Sequence, residues 1–178
     1  MIEKIKAFFF HEALRKWSFR DLIQESKISR ERVNHYLREL IREKFVRRVK
    51  LRGKMPYYIA NRNSSKFRFE KQLHGLILLE QSGLFEHLNS LKEIKTAILF
   101  GSFARGDWGK SSDIDLFIYG DDKNFIKGKF EHKIKREIQL FSYQNLTEIK
   151  KELNPKLFLN IVQGFNIKES LEPFEVSL

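Results

Sequence analysis

A chain of 178 residues, 42% of them hydrophobic, can build one ordinary domain or two small ones with modest cores. It holds no cysteine, which excludes disulfides, thiol catalysis and thiolate metal sites, and its five histidines show no HExxH-like pairing. Any metal must then be a hard cation on oxygen ligands. The net charge of +11 is uneven: residues 1–92 carry 21 basic and 10 acidic side chains, residues 93–178 carry 13 of each. That asymmetry favours two modules, the first facing a polyanion. No apolar run approaches a membrane span, and the opening MIEKIKAFFFHEALRKW has too short an apolar stretch for a signal sequence, so the expected location is the cytoplasm, with no membrane partner.

In chain order, Ile2 to Lys16 reads as a first helix, with Ile5, Phe8, Phe9 and Leu14 on one stripe. Ser18 is placed to cap a short second helix over Asp21 to Glu25, Asp21 standing where a capping-box acid stands. After a turn at Lys27 to Ser29, Arg30 to Arg42 predicts a third helix with Val33, Tyr36, Leu37, Leu40 and Ile41 inward. Its outer side then holds Arg32, Asn34, His35 and Arg38. Two strand-like runs, 45–51 and 55–60, flank Arg52, Gly53 and Lys54.

Three helices followed by a basic-tipped hairpin resemble a winged helix-turn-helix domain. The resemblance implies double-stranded DNA as partner, with Arg32, Asn34, His35 and Arg38 in a major groove and Arg47, Arg48, Arg52 and Lys54 on flanking phosphate. Reading a palindromic site would require a homodimer.

Asn61 to Ser65, polar and aperiodic, reads as a hinge. Helices are expected over Phe67 to Gln81, Leu84 to Leu91, Asn124 to Lys133, Leu146 to Leu153 and Pro155 to Gln163. Strands are expected over Thr96 to Phe100, Ile114 to Tyr119 and Ile138 to Tyr143. The tail from Phe165 is readable only as an edge strand or a segment packed across the site.

The segment AILFGSFARGDWGKSSDIDLFIYG, residues 97–120, carries the chemistry. Gly101 permits a tight exit from a strand and close approach of a phosphate, to which Ser102 and the following amides can donate. Arg105 adds positive charge, Ser112 lies on the approach to the second strand, and Trp108 is either a base-stacking platform or local packing. Asp113 and Asp115, two apart on a strand, project from one face and suit shared ligation of a divalent metal.

GSFARGDWGKSSDIDL resembles the signature of DNA polymerase beta-like nucleotidyltransferases, the small size being that of the minimal members. The resemblance implies that Gly101 and Ser102 hold the phosphates of an NTP, ATP by expectation, with Arg105 and Ser112 as further nucleotide-binding candidates. It assigns Asp113 and Asp115 to Mg2+, or Mn2+ in its place. A third acid is expected on the strand within residues 135–149, and two alignments compete: one leaves Gln139 at its place, the other, preferred, supplies Glu137 as metal ligand and base.

The layout expected is α+β: a winged helix-turn-helix domain over 1–62, a helical connector over 63–92, and over 93–178 a minimal nucleotidyltransferase domain with a mixed sheet flanked by helices. The leading function is metal-dependent transfer of a nucleoside monophosphate to an acceptor, a protein or toxin partner among the candidates. The alternative is a DNA-binding regulator or antitoxin that senses nucleotide without turning it over.

Overall fold

A computed structural model describes residues 1–168, 170 and 172–174, and the chain divides into two compact units, Met1–Lys71 and Gln72–Leu178. Among the described residues no helix is long and apolar enough to cross a membrane.

In the first unit, helix α1 (Ile2–His11) buries Ile5, Phe9 and Phe10. It stops five residues short of Lys16, because Glu12 leaves helical backbone (φ −124°, ψ 59°) while its amide still bonds to the Phe8 carbonyl. Leu14, expected inside, is 79% exposed. The buried position belongs to Trp17, which with Ser18 forms a two-residue strand, β1, too short for any periodic signal.

The Ser18–Asp21 capping box forms as the sequence implies and starts α2 (Phe19–Ser26). Lys27 then turns the chain in the left-handed region (φ 54°), and Ser29 caps α3 (Arg30–Arg42), whose Val33, Leu37 and Leu40 are buried. Strands β2 (Val46–Val49) and β3 (Tyr57–Ala60) pair antiparallel, and β1 adds to the far side of β3, giving the order β1-β3-β2. Phe10, Phe45 and Phe67 meet with ring centroids 4.9–5.6 Å apart and close the core. Asn61 donates to the carbonyl of Lys44 at 2.8 Å, and its amide to that of Phe45 at 2.9 Å. The stretch read as a hinge is therefore a turn bonded to the hairpin: polar composition here marks satisfied backbone groups. Phe67 belongs to α4 (Ser65–Gln81), along which the division between the units falls.

The second unit is built on a mixed four-stranded sheet in the order β6-β5-β4-β7. Strands β4 (Ile94–Phe100) and β5 (Ile114–Gly120) are antiparallel, β6 (Ile138–Tyr143) runs parallel to β5, and β7 (Phe165–Asn166) adds antiparallel to β4. The tail thus begins as the edge strand expected of it; residues 169, 171 and 175–178 lie outside the described residues.

Alternation sets the two faces. Ile98, Phe100, Phe117, Tyr119 and Tyr143 pack on one, against Ile149 of α8 (Leu146–Glu152) and Ile161 of α9 (Pro155–Val162). Ala97, Leu99, Leu116 and Ile118 are buried on the other. Burial of a side chain such as Phe117 stabilises by roughly 1.5–3 kcal/mol, so β5 is a firm base for whatever its ends carry. Two further helices are α5 (Leu84–Ser90) and α7 (Lys127–Ile134); α7 starts three residues later than the sequence pattern implied. The short α6 (Gly101–Arg105) follows β4 directly.

Candidate active site

The site forms where β4 runs into α6 beside the first turn of β5. Phe100 pairs with Asp115, so the residue after Phe100 passes over the Asp115 side chain. That residue is Gly101, with φ +68°; a Cβ added to it would lie 1.9 Å from Asp115 Oδ2. No side chain fits there, and the L-residue backbone preference opposes the conformation as well. The Ser102 amide donates to the Asp115 carboxylate.

Asp115 is half-buried and Asp113 is exposed. Both lie on the sheet face of Phe117 and Tyr119 by strand alternation. Burial pushes the Asp115 carboxyl above its ordinary range and the charge of Asp113 adds to this, while Arg105 and the Ser102 amide oppose it. Two like charges, one partly desolvated, are a donor set that a hard divalent cation would relieve, and oxygen is the only ligand type they offer. In that respect the pair fits Mg2+ or Mn2+. Among the described residues, however, no group of three His, Asp or Glu side chains is gathered that could hold a metal.

The register of β6 locates both candidates for the third acid. Asp115 is paired with Gln139 and Ile114 with Ile138, so Gln139 lies beside Asp115 and Glu137 beside Asp113. The Glu137 carbonyl accepts from the Ile114 amide at 2.9 Å. Both side chains are exposed, and Glu137 lines a shallow open depression with Lys127, Glu131, Lys135 and Arg136.

The loop between α6 and β5 is tightly organised. Gly106 closes α6 in the left-handed region (φ 74°), and the Asp107 amide bonds to the Ser102 carbonyl at 3.1 Å. Arg105 pairs with Asp107 at 3.4 Å, both side chains about half exposed, so its charge is shared between the loop and Asp115. Ser112 Oγ accepts from the Gly109 amide at 2.7 Å and closes the loop on itself. Trp108 is fully buried and stacks on Phe103 with centroids 5.1 Å apart and planes 9° apart, which decides for local packing over a base-stacking platform. A Cβ on Gly75 would come within 2.8 Å of the indole nitrogen, so α4 is cut away to seat the ring.

Charge alone gave Lys133, Lys135 and Arg136 a choice between phosphate contact and solvated surface. Lys133 instead donates to the Ser82 carbonyl at 2.9 Å, and Arg136 donates into the loop before Asp113. Neither bond has a sequence signature, since each depends on partners more than 20 residues away.

In the first unit, Arg32, His35 and Arg38 of α3 are exposed and Asn34 is half-buried; Arg47, Arg48, Arg52 and Lys54 are exposed on and beside the hairpin. They form a cationic surface on the elements where the sequence located them.

Residues 83–170 match the family model described as polymerase beta, nucleotidyltransferase. A curated protein of Methanocaldococcus jannaschii, named provisionally as a protein adenylyltransferase, is 49% identical over 47 residues, which are 24% of this chain and 47% of that protein. The chain thus spans about half the length of that relative. Among solved structures, the toxin–antitoxin pair MntA–HpeT in a mutant form shows 15% identity and a TM-score of 0.34, over 56% of this chain and 74% of the other. A protein of Sulfolobus solfataricus, provisionally a nucleotidyltransferase, shows 21% identity and a TM-score of 0.31, over 51% and 84%.

Proposed function

Taking residues 83–170 as a nucleotidyltransferase domain of the polymerase beta type, we propose that the chain transfers a nucleoside monophosphate from an NTP to an acceptor hydroxyl. The observation that carries this is the fit of Gly101 over the Asp115 carboxylate, which brings the turn after β4 directly against the acid proposed as metal ligand. In the reaction the acceptor oxygen bonds to the α-phosphorus, the bond to pyrophosphate breaks, and the acceptor proton leaves to a base. Asp113 and Asp115 would hold the divalent cation, Mg2+ or Mn2+, whose charge would offset that of the triphosphate. Gly101 and the Ser102 hydroxyl border the triphosphate, Arg105 adds positive charge, and Ser112 shapes the loop at its edge. Glu137, one residue before the β6 register that pairs Ile138 with Ile114, would take the acceptor proton and serve as the third carboxylate toward the cation. The name of the archaeal relative favours ATP as donor and a protein as acceptor.

A second reading is favoured by one observation: the residue beside Asp115 on β6 is Gln139, which cannot act as a carboxylate. A domain so built would bind nucleotide and metal without transfer, and the chain would act as a DNA-binding regulator or antitoxin. In both readings the first unit serves as a winged helix-turn-helix module. What supports it is the order of three helices and an antiparallel sheet, with exposed cations on α3 and the hairpin. For a palindromic site the chain would pair with a second copy, and the exposed Leu73 and Ile77 on α4 offer apolar surface for that.

The test is transfer of label from each α-labelled NTP, with Mg2+ and cell extract, beside an Asp113→Asn, Asp115→Asn double variant. Label that reaches an acceptor only with the intact pair supports the enzyme. Retained nucleotide binding without transfer selects the regulator.

A further inference from the structure

Arg136 has no part in the assignments above, yet it is bonded to the loop that delivers Asp113. Its Nη1 donates to the carbonyl oxygens of Gly109, Lys110 and Ser112 at 2.9, 3.0 and 2.7 Å. The guanidinium lies over the Phe103 and Trp108 rings, 5.2 and 5.4 Å from their centroids. The next residue, Glu137, accepts from the Ile114 amide at 2.9 Å. Asp113 is therefore flanked on both sides by bonds to two consecutive residues: Ser112 is held by Arg136 and Ile114 by Glu137.

We propose that Arg136 is the positioning residue for Asp113, fixing the backbone on the N-terminal side of that carboxylate so that the acid is preset for a divalent cation. The proposal rests on the reading of Asp113 and Asp115 as metal ligands. Its physical basis is that three carbonyl dipoles converge on one nitrogen in a loop, GDWGKSS, that has glycines and serines but only one large apolar anchor, Trp108. Without a cation at that point those carbonyls would repel one another and the loop would have many conformations of similar energy. A guanidinium suits the position because its several N–H groups can meet the carbonyls while its delocalised charge lies near both aromatic rings; an ammonium concentrates its charge at one point. The Nη1 bonds tie Arg136 to the backbone on the N-terminal side of Asp113, and its charge also acts on the Asp113 carboxylate itself, which Arg136→Lys retains and Arg136→Gln removes.

The test uses the full chain as wild type, Arg136→Lys and Arg136→Gln, with two readouts. One is hydrogen exchange of the backbone over residues 109–114 without metal. The other is the Mn2+ midpoint, followed by its electron paramagnetic resonance signal, with a non-hydrolysable ATP analogue present. The expected result is exchange at least about tenfold faster in this loop alone, with a Mn2+ midpoint raised by about the same factor and full occupancy still reached. Arg136→Lys, which keeps the charge and is the milder change for folding, should show most of the effect. A midpoint equal to wild type in both variants overturns the proposal, whether or not exchange changes. Wild-type chain that binds no Mn2+ with the analogue overturns instead the functional reading on which the proposal rests.

Discussion

The strands on either side of β5 treat the site differently. On the β4 side, the chain crosses so close to Asp115 that only glycine fits, and the acid is held by the Ser102 amide. On the β6 side, Glu137 and Gln139 stand in register with Asp113 and Asp115, but their side chains are exposed at a strand that forms the edge of the sheet. One half of the site is fixed by backbone sterics; the other depends on a flexible side chain at an open depression. The first kind of half tolerates no substitution and so writes a motif, whereas the second can be met by more than one residue at more than one position.

The contrast is broken most severely at Gly101. Gly101→Ala should reduce transfer at least about a hundredfold and lower stability by about 1–3 kcal/mol, because the new methyl meets Asp115 and the left-handed backbone is strained. Paired transfer assays and denaturant unfolding check both effects. Transfer near the wild-type rate would mean that the fit of β4 on Asp115 has no part in the chemistry.

On the β6 side, Glu137→Gln should lower transfer roughly a hundredfold while leaving nucleotide affinity within a few-fold, the signature of a lost base. Gln139→Asp, which adds a carboxylate beside Asp115, decides which of the two positions completes the site. If it raises transfer and Glu137→Gln does nothing, the base has been assigned to the wrong residue.

A smaller effect follows from the raised Asp115 carboxyl. The folded state holds this proton more tightly than the unfolded chain, so stability falls as pH rises from the ordinary carboxylate range through the raised value, and levels off above it. In metal-free buffer Asp115→Asn should therefore raise the Tm at pH 7 by about 1–2 °C and leave it unchanged below about pH 3.5. Saturating Mg2+ should reverse the difference, because it stabilises the wild type, which keeps the ligand, more than the variant, which has lost it.

The smallest effect belongs to the first unit. Lys54→Ala should weaken duplex binding roughly two- to fivefold and reduce the salt slope by about one, whatever the sequence of the duplex. An unchanged slope would remove the hairpin tip from the proposed interface.

Much of this was legible in the sequence where local rules govern. The Ser18–Asp21 capping box, α3 from Arg30 to Arg42 and β6 from Ile138 to Tyr143 follow from capping and periodicity within a few residues. That Gly101, Ser102, Asp113 and Asp115 come together was legible because they lie within one strand, turn and strand. What was missed is long-range. Trp17 pairs with Tyr58 and displaces Leu14 from the core; Trp108 is buried by Phe103 and the notch at Gly75; Arg136 finds its acceptors 24–27 residues earlier. A cation beside a loop and a cation in solvent read alike until the sheet brings the segments together.

Metal and nucleotide should bind together at the aspartate pair, and that is the most direct check on the whole account. Mn2+ binding to the full chain would be followed by electron paramagnetic resonance with and without a non-hydrolysable ATP analogue, in wild type and in the Asp113→Asn, Asp115→Asn double variant. The account predicts that the analogue tightens Mn2+ binding at least about tenfold in wild type and has no such effect in the double variant. Equal Mn2+ binding in the two proteins, or no response to the analogue, would contradict it.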